Sequence, residues 1–295
     1  MSSKLKAKAP SQVEPTKPKV LIYGPPGVGK SWFSLSFKKV FYIDSEQGVS
    51  RTHYMERLAK GGGVILGPED GSLDPETIIS QLQALATEKH GYETLVIDSA
   101  TKIFNTIIAA ESERLGDKDQ FGASKKPGIA FMRRFINWIH RLDMNVIIIT
   151  HEKEEWGQDA KGNRVAIGFT FDCFDKLAYE LDLTFRVVKQ GSSRYGVIRK
   201  SRLLGFPENE RFQLDYETFA SMYGKDVIEK SVTTITLATP EQVAEIVRLA
   251  DLLKMSEEEK QKWLTKASAS DWNELTTEQA DKAIKALLSK ITPTK

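Results

Sequence analysis

A single cysteine, Cys173, in 295 residues excludes a disulfide framework and a cysteine zinc site, and suits a reducing cytoplasm. No apolar run approaches the roughly 20 residues that span a bilayer, so no membrane contact is expected. The N-terminal lysines precede no apolar core, so the chain is not expected to open with a secretory signal. Net charge is almost lacking too. Lys and Arg number 42 against 40 Asp and Glu, a formal +2, so any nucleic-acid site must be a local patch. What is there is ordinary for a globular protein, 40% apolar and 28% charged. The length allows one large α/β domain and a smaller module.

Residues 1–17 hold Lys4, Lys6, Lys8, Pro10 and Pro15 with few apolar groups, which predicts a disordered basic tail. Over residues 18–230, buried-type runs alternate with helical patterns. Strands are expected at 19–23, 40–44, 64–66, 95–98 and 145–150. Helices are expected through Trp32, Phe33, Leu35 and Phe37, from Asp74-Pro75-Glu76, from Thr101, and through Phe131, Phe135, Trp138 and Ile139. A polar loop is expected over residues 116–128. This alternation predicts an α/β domain whose mostly parallel sheet is covered on both faces. Two hairpins follow, one around Asp-Ala-Lys-Gly-Asn at 159–163 and one flanking residues 190–193, both expected at the far edge of the sheet. Residues 231–238 read as a linker. Residues 239–295 read as an all-helical module, with capping boxes at Thr239-x-x-Gln242, Ser256-x-x-Glu259 and Thr276-x-x-Gln279.

The strongest motif is Gly24-Pro25-Pro26-Gly27-Val28-Gly29-Lys30-Ser31, a phosphate-binding loop between a strand and a helix. Its glycines let backbone N–H groups turn inward around phosphates. Lys30 brings charge to the β and γ phosphates, and Ser31 brings a hydroxyl to Mg2+. ATP and Mg2+ are the expected cofactors, and residues 24–31 with Trp32 form the expected nucleotide site. Asp98, ending a buried strand, is the expected second group on the metal side. Ser99, not Glu, follows it, so the base that activates water must come from elsewhere. Glu46, just past the second strand, is placed for that task, because ligands of open α/β sheets gather at the carboxyl ends of strands.

Ile43-Asp44-Ser45-Glu46 together with Val96-Ile97-Asp98-Ser99 resembles the RecA-type recombinase core. The nearer resemblance is to phage RecA-like ATPases of the single-strand annealing and recombination group, AAA-domain nucleotide-binding proteins with a stripped-down RecA core. It covers roughly residues 18–225 and leaves out the C-terminal helices. It implies that Glu46 is catalytic and that the Asp98-Ser99 pair ends the Mg2+ strand. It also implies that His151, where the family usually has Gln, senses the γ-phosphate and leads into a DNA-binding loop. Lys118, Lys125 and Lys126 in the first loop, and Lys153, Trp156, Lys161 and Arg164 in the hairpin, would face single-stranded DNA, cations on phosphates and an aromatic under a base. Glu152, Glu154, Glu155 and Asp159 dilute that patch, and a Trp156 packed on the core is the competing reading. Lys200 and Arg202, two apart on an expected strand, would reach a neighbour's nucleotide in a ring or filament; a solvated charge run competes.

The expected function is thus a Mg2+-dependent ATPase, DNA-coupled, acting in homologous recombination or single-strand annealing, in a bacterial cytoplasm and phage-encoded or bacterial. The C-terminal module, near-balanced in charge, is expected to bind a protein partner. A motor or helicase loader of another P-loop class, and a small-molecule P-loop kinase, are the alternatives. The missing Glu after Asp98 argues against the first in its AAA+ form, and the want of an arginine-bearing lid against the second.

Overall fold

The computed structural model describes residues 15–49 and 52–291. Residues 1–14 of the expected tail lie outside them. The described chain begins tied down: the Thr16 carbonyl accepts from the Tyr223 hydroxyl at 2.7 Å, and Lys17 is buried with its ammonium on the Lys230 carbonyl. The tail reading therefore fails at its last residues.

Five strands come first: β1 (Lys19–Tyr23), β2 (Val40–Asp44), β3 (Val64–Leu66), β4 (Thr94–Asp98) and β5 (Asn145–Ile149). Five more follow: β6 (His151–Gln158), β7 (Arg164–Asp172), β8 (Leu183–Gln190), β9 (Ser193–Ser201) and β10 (Arg211–Gln213). Eight of them form one sheet in the order β10-β9-β8-β1-β5-β4-β2-β3. From β8 to β3 every neighbouring pair is parallel, while β9 runs antiparallel to both β8 and β10. Parallel strands put all their carboxyl ends on one edge of the sheet, and that edge carries the site.

The helices are α1 (Lys30–Ser34), α2 (Thr52–Lys60), α3 (Pro75–Thr87), α4 (Ala100–Leu115), α5 (Lys125–Arg141), α6 (Leu177–Glu180), α7 (Tyr216–Tyr223) and α8 (Lys225–Ile228). The C-terminal ones are α9 (Pro240–Leu252), α10 (Glu257–Lys266) and α11 (Thr277–Ile291). Alternate residues of β1 feed two cores: Leu21 packs with Ile78, Leu82, Phe135 and Trp138, while Val20 and Ile22 pack with Phe33, Phe185 and Phe219. The sheet is therefore buried on both faces, as continuous apolar strands require. Asp74 caps α3 by accepting from the Thr77 amide, with Pro75 in the first turn.

Several expectations need correction. Helix α1 stops at Ser34, so Leu35 and Phe37 lie beyond it; both are buried on the Phe33 side while the chain turns back toward Val40. The polar loop is shorter than expected, because α5 starts at Lys125 with Pro127 in its first turn, and Lys125 and Lys126 are exposed helical residues rather than loop residues. The first hairpin is not at the sheet edge. β6 and β7 form a separate two-stranded sheet. The second is not an edge hairpin either: β8 lies inside the sheet against β1, and the edge belongs to β10.

All three capping boxes of the C-terminal helices form. Their own core gathers Ile246, Leu249, Leu264, Leu275, Ala280 and Leu287. Residues 231–238 do not hang free: Ile235 donates to the Ala86 carbonyl at 2.8 Å, and Val232, Ile235 and Leu237 pack on the main core. Glu274, 2% exposed, then docks the helices on α5. It accepts from Arg134 Nε at 2.8 Å and Trp138 Nε1 at 3.3 Å, while its carbonyl accepts from Arg141 at 2.6 Å. A buried carboxylate is tolerated because it is paired and hydrogen-bonded.

Candidate nucleotide site

The phosphate loop leaves β1 at Gly24 and enters α1 at Lys30. Gly27 and Gly29 have φ of +74° and +101°, a backbone region costly for side-chain-bearing residues. The Lys30 ammonium donates to the carbonyls of Gly24 at 2.7 Å and Pro25 at 3.0 Å, inside its own loop. Burial lowers its pKa, opposed by the nearby Asp98, Glu152 and Glu46 carboxylates.

Because β1 and β4 both flank β5, the Ser31 hydroxyl meets Asp98, donating to its Oδ2 at 2.6 Å. Tyr42 of β2 donates to the same oxygen at 2.5 Å. Burial raises the Asp98 pKa, while these two hydrogen bonds oppose the rise. One hydroxyl and one carboxylate oxygen converging this way fit Mg2+, which keeps several waters and shares phosphate oxygens. No cluster of three or more His, Cys, Asp or Glu residues arranged for a metal occurs among the described residues.

Glu46 is fixed from three sides. Asp44, buried at the end of β2, accepts from the amides of Glu46, Gly48 and Val49 at 3.0, 3.2 and 3.1 Å, and so shapes the loop. Ser45 is stitched to Ser99: the Ser99 amide donates to the Ser45 hydroxyl at 2.9 Å, and that hydroxyl donates to the Ser99 carbonyl at 3.0 Å. The Asp98-Ser99 peptide is cis. The Ser99 hydroxyl then donates to the Glu46 carboxylate, and His151 Nε2 lies 2.6 Å from the same oxygen. The His151 hydrogen bond pulls the Glu46 pKa down, and reciprocally Glu46 raises that of His151. Thr101 holds the start of β6, accepting from the His151 amide at 2.9 Å and donating to the Asp172 carbonyl at 2.5 Å.

The fold thus gathers the phosphate loop, Asp98, Glu46 and His151 at one edge. Trp32 stands half-exposed just beyond Ser31, edge-on to Tyr54 and under the Arg57 guanidinium at 4.1 Å. Trp156 is 48% exposed and so is not a core residue; the Arg164 guanidinium sits 4.8 Å from its ring centre. The acids that dilute this hairpin are largely engaged: Glu152 by Arg186 at 2.8 Å, Glu155 by Arg199 at 3.6 Å, and Asp159 by the amides of its turn. Lys153 is engaged as well, by Asp172 and Asp175. Lys161 and Arg164 are exposed.

Lys200 and Arg202 sit elsewhere. Thr184 pairs with Lys200, and β8 runs parallel to β1, so both cations lie at the end of the sheet away from their own phosphate loop. Lys200 donates to the Leu181 carbonyl and Arg202 to that of Tyr179. The strand ends at Ser201 after a bulge, so the expected alternation does not carry to Arg202. Asp44 and Tyr42 at the site were missed in the sequence. Only Asp44 carried a signal, a strand-end Asp opening a Ser-Glu-Gln-Gly turn.

Among the described residues, no helix is long and apolar enough to cross a membrane. Residues 16–213 match the protein family described as an AAA domain. No curated protein matches the sequence. Among solved structures, the chain is similar to the crystal structure of the RadB recombinase, at 18% identity and a TM-score of 0.40 over 65% of this chain and 84% of that one.

Proposed function

We propose that this chain, which belongs to the AAA-domain family of P-loop ATPases, hydrolyses ATP with Mg2+ and couples hydrolysis to single-stranded DNA in homologous recombination or strand annealing. One observation carries the reading: Glu46 and the first residue of the exposed hairpin, His151, are in direct contact at 2.6 Å. A lowered pKa keeps Glu46 ionised, as a base that takes a proton from the attacking water must be. Lys30 and the loop amides bind the phosphates. Ser31 and Asp98 would hold a Mg2+ ion, which when bound would supply positive charge to the phosphates.

The hairpin offers Trp156, Lys161 and Arg164 to a single strand, and Lys125 and Lys126 add exposed cations at the start of α5. DNA pulling on β6 would act on His151 and through it on Glu46. The remote location of Lys200 and Arg202 supports a role toward a neighbour's nucleotide in a homo-oligomeric ring or filament. Val247, Leu252 and Leu288, exposed on the C-terminal helices, support a protein partner there. The cytoplasm of a bacterium, from a phage or host gene, is the matching setting.

Steady-state ATP turnover with and without single-stranded DNA tests the coupling: stimulation is expected, and an unchanged rate overturns it. Glu46→Gln should keep ATP binding and lose turnover by about 10²–10⁴-fold; a loss of only a few-fold moves the base elsewhere. Mixing Glu46→Gln with Lys200→Ala/Arg202→Ala protein should restore activity in mixed assemblies, and co-assembly without recovery removes the trans role.

A further inference from the structure

The hairpin β8–β9 presses on the outside of the phosphate loop at two points. A Cβ added at Gly24 would lie 2.6 Å from the Val187 carbonyl oxygen of β8. A Cβ added at Gly29 would lie 2.9 Å from both Cδ and Nε of Arg194 on β9. That same Nε donates to the Val28 carbonyl at 3.0 Å. Two glycines of the loop therefore make room for the hairpin as well as turning the backbone.

The arginines around this end of the sheet differ in how their charge is met. Arg186 is neutralised by both oxygens of Glu152, and Arg199 faces Glu155. Arg194 makes no ion pair among the described residues, and its Nε bond to Val28 is the one side-chain hydrogen bond it forms there. A half-buried guanidinium, fixed through one nitrogen to a loop that wraps an anion and matched by no carboxylate, keeps its charge and its remaining N–H groups for that anion.

We propose that Arg194 is a nucleotide-positioning residue acting in cis: it clamps the phosphate loop from outside through Val28 and lends its unneutralised charge to the bound polyphosphate. The β8–β9 hairpin thereby becomes part of the nucleotide site. This rests on the loop being the ATP site, so Lys30→Ala is run alongside.

The test is calorimetric titration of the full chain with ATP and with ADP, each with Mg2+. Arg194→Ala and Arg194→Gln should each weaken binding by about tenfold, as loss of a charge-assisted contact predicts. Arg194→Lys, which keeps the charge but not the fork, should recover most of the loss. Affinity equal to the parent in the Ala and Gln variants overturns the proposal, whatever their melting temperatures, because a mere packing role would move stability and leave binding alone. If Arg194→Ala does not melt cooperatively, the Lys and Gln variants decide: tighter binding by Lys supports the role, and equal binding overturns it. ATP binding unchanged in Lys30→Ala would instead remove the loop assignment itself.

Discussion

Hairpins β6–β7 and β8–β9 are built to one plan, an eight-residue strand joined to a nine-residue strand through a polar turn with a positive-φ glycine, Gly162 or Gly191. Their surroundings are opposite. In β8, Leu183, Phe185 and Val187 alternate as fully buried residues, and the strand pairs with β1 in the middle of the sheet. In β6 the consecutive residues Glu152, Lys153, Glu154 and Glu155 put charge on both faces of the strand, and none of them can enter a core unpaired. The β6–β7 hairpin stands off the sheet, held at its base by Arg186 on Glu152, by the Tyr23 hydroxyl on the Phe169 carbonyl of β7 at 3.2 Å, and by His151 on Glu46. Turn chemistry sets a hairpin's existence; the residue type on its inward face sets whether it joins the sheet.

Phe185→Ala breaks the embedded member. Its ring meets Phe33 and Phe212 edge-on, and truncation should cost about 3–5 kcal/mol in denaturant unfolding. A loss below about 0.5 kcal/mol, the scale of a surface change, would mean β8 is no more integral than β6. Trp156→Ala sharpens the other side. It should leave the unfolding midpoint nearly unchanged and weaken single-strand binding by about 1–3 kcal/mol. The reverse outcome, lost stability with unaltered DNA affinity, would make the exposed hairpin a structural element after all.

The smallest effect concerns the link between the hairpin and Glu46. His151 has its pKa raised above the ordinary 6.5, so its contribution is full below that value and is lost as pH rises through the raised one. Glu46 has its pKa lowered below 4.5, so its contribution is present above that value and is lost as pH falls through the lowered one. The stability difference between the parent and His151→Ala should therefore peak in mildly acidic buffer, near about pH 5.5, and shrink on both sides. Both side chains are partly exposed, so about 1 kcal/mol or less is expected. A difference flat in pH would show that the pair is held by packing alone.

That the phosphate loop, Asp98 and Glu46 would meet at one edge was legible because each lies at or just past a strand end, and a parallel sheet gathers strand ends. Arg194 and Tyr42 were not. Arg194 reaches the loop only because β9 pairs with β8 in one register, and Tyr42 reaches Asp98 across a strand boundary that local sequence does not record. The start of α5 was recoverable, since Pro127 suits a first helical turn. The placement of β6–β7 off the sheet was legible only by weighing the run of charge at Glu152–Glu155 above its turn signal.

The sheet ends on both sides in a strand of three residues, β3 and β10. So short an edge exposes little unpaired backbone for another strand to add to. The eight-stranded sheet therefore offers little at either end for a second copy to continue. A neighbour meeting either end of that sheet would engage mostly side chains, which discriminate between partners and orientations in a way that bare backbone does not.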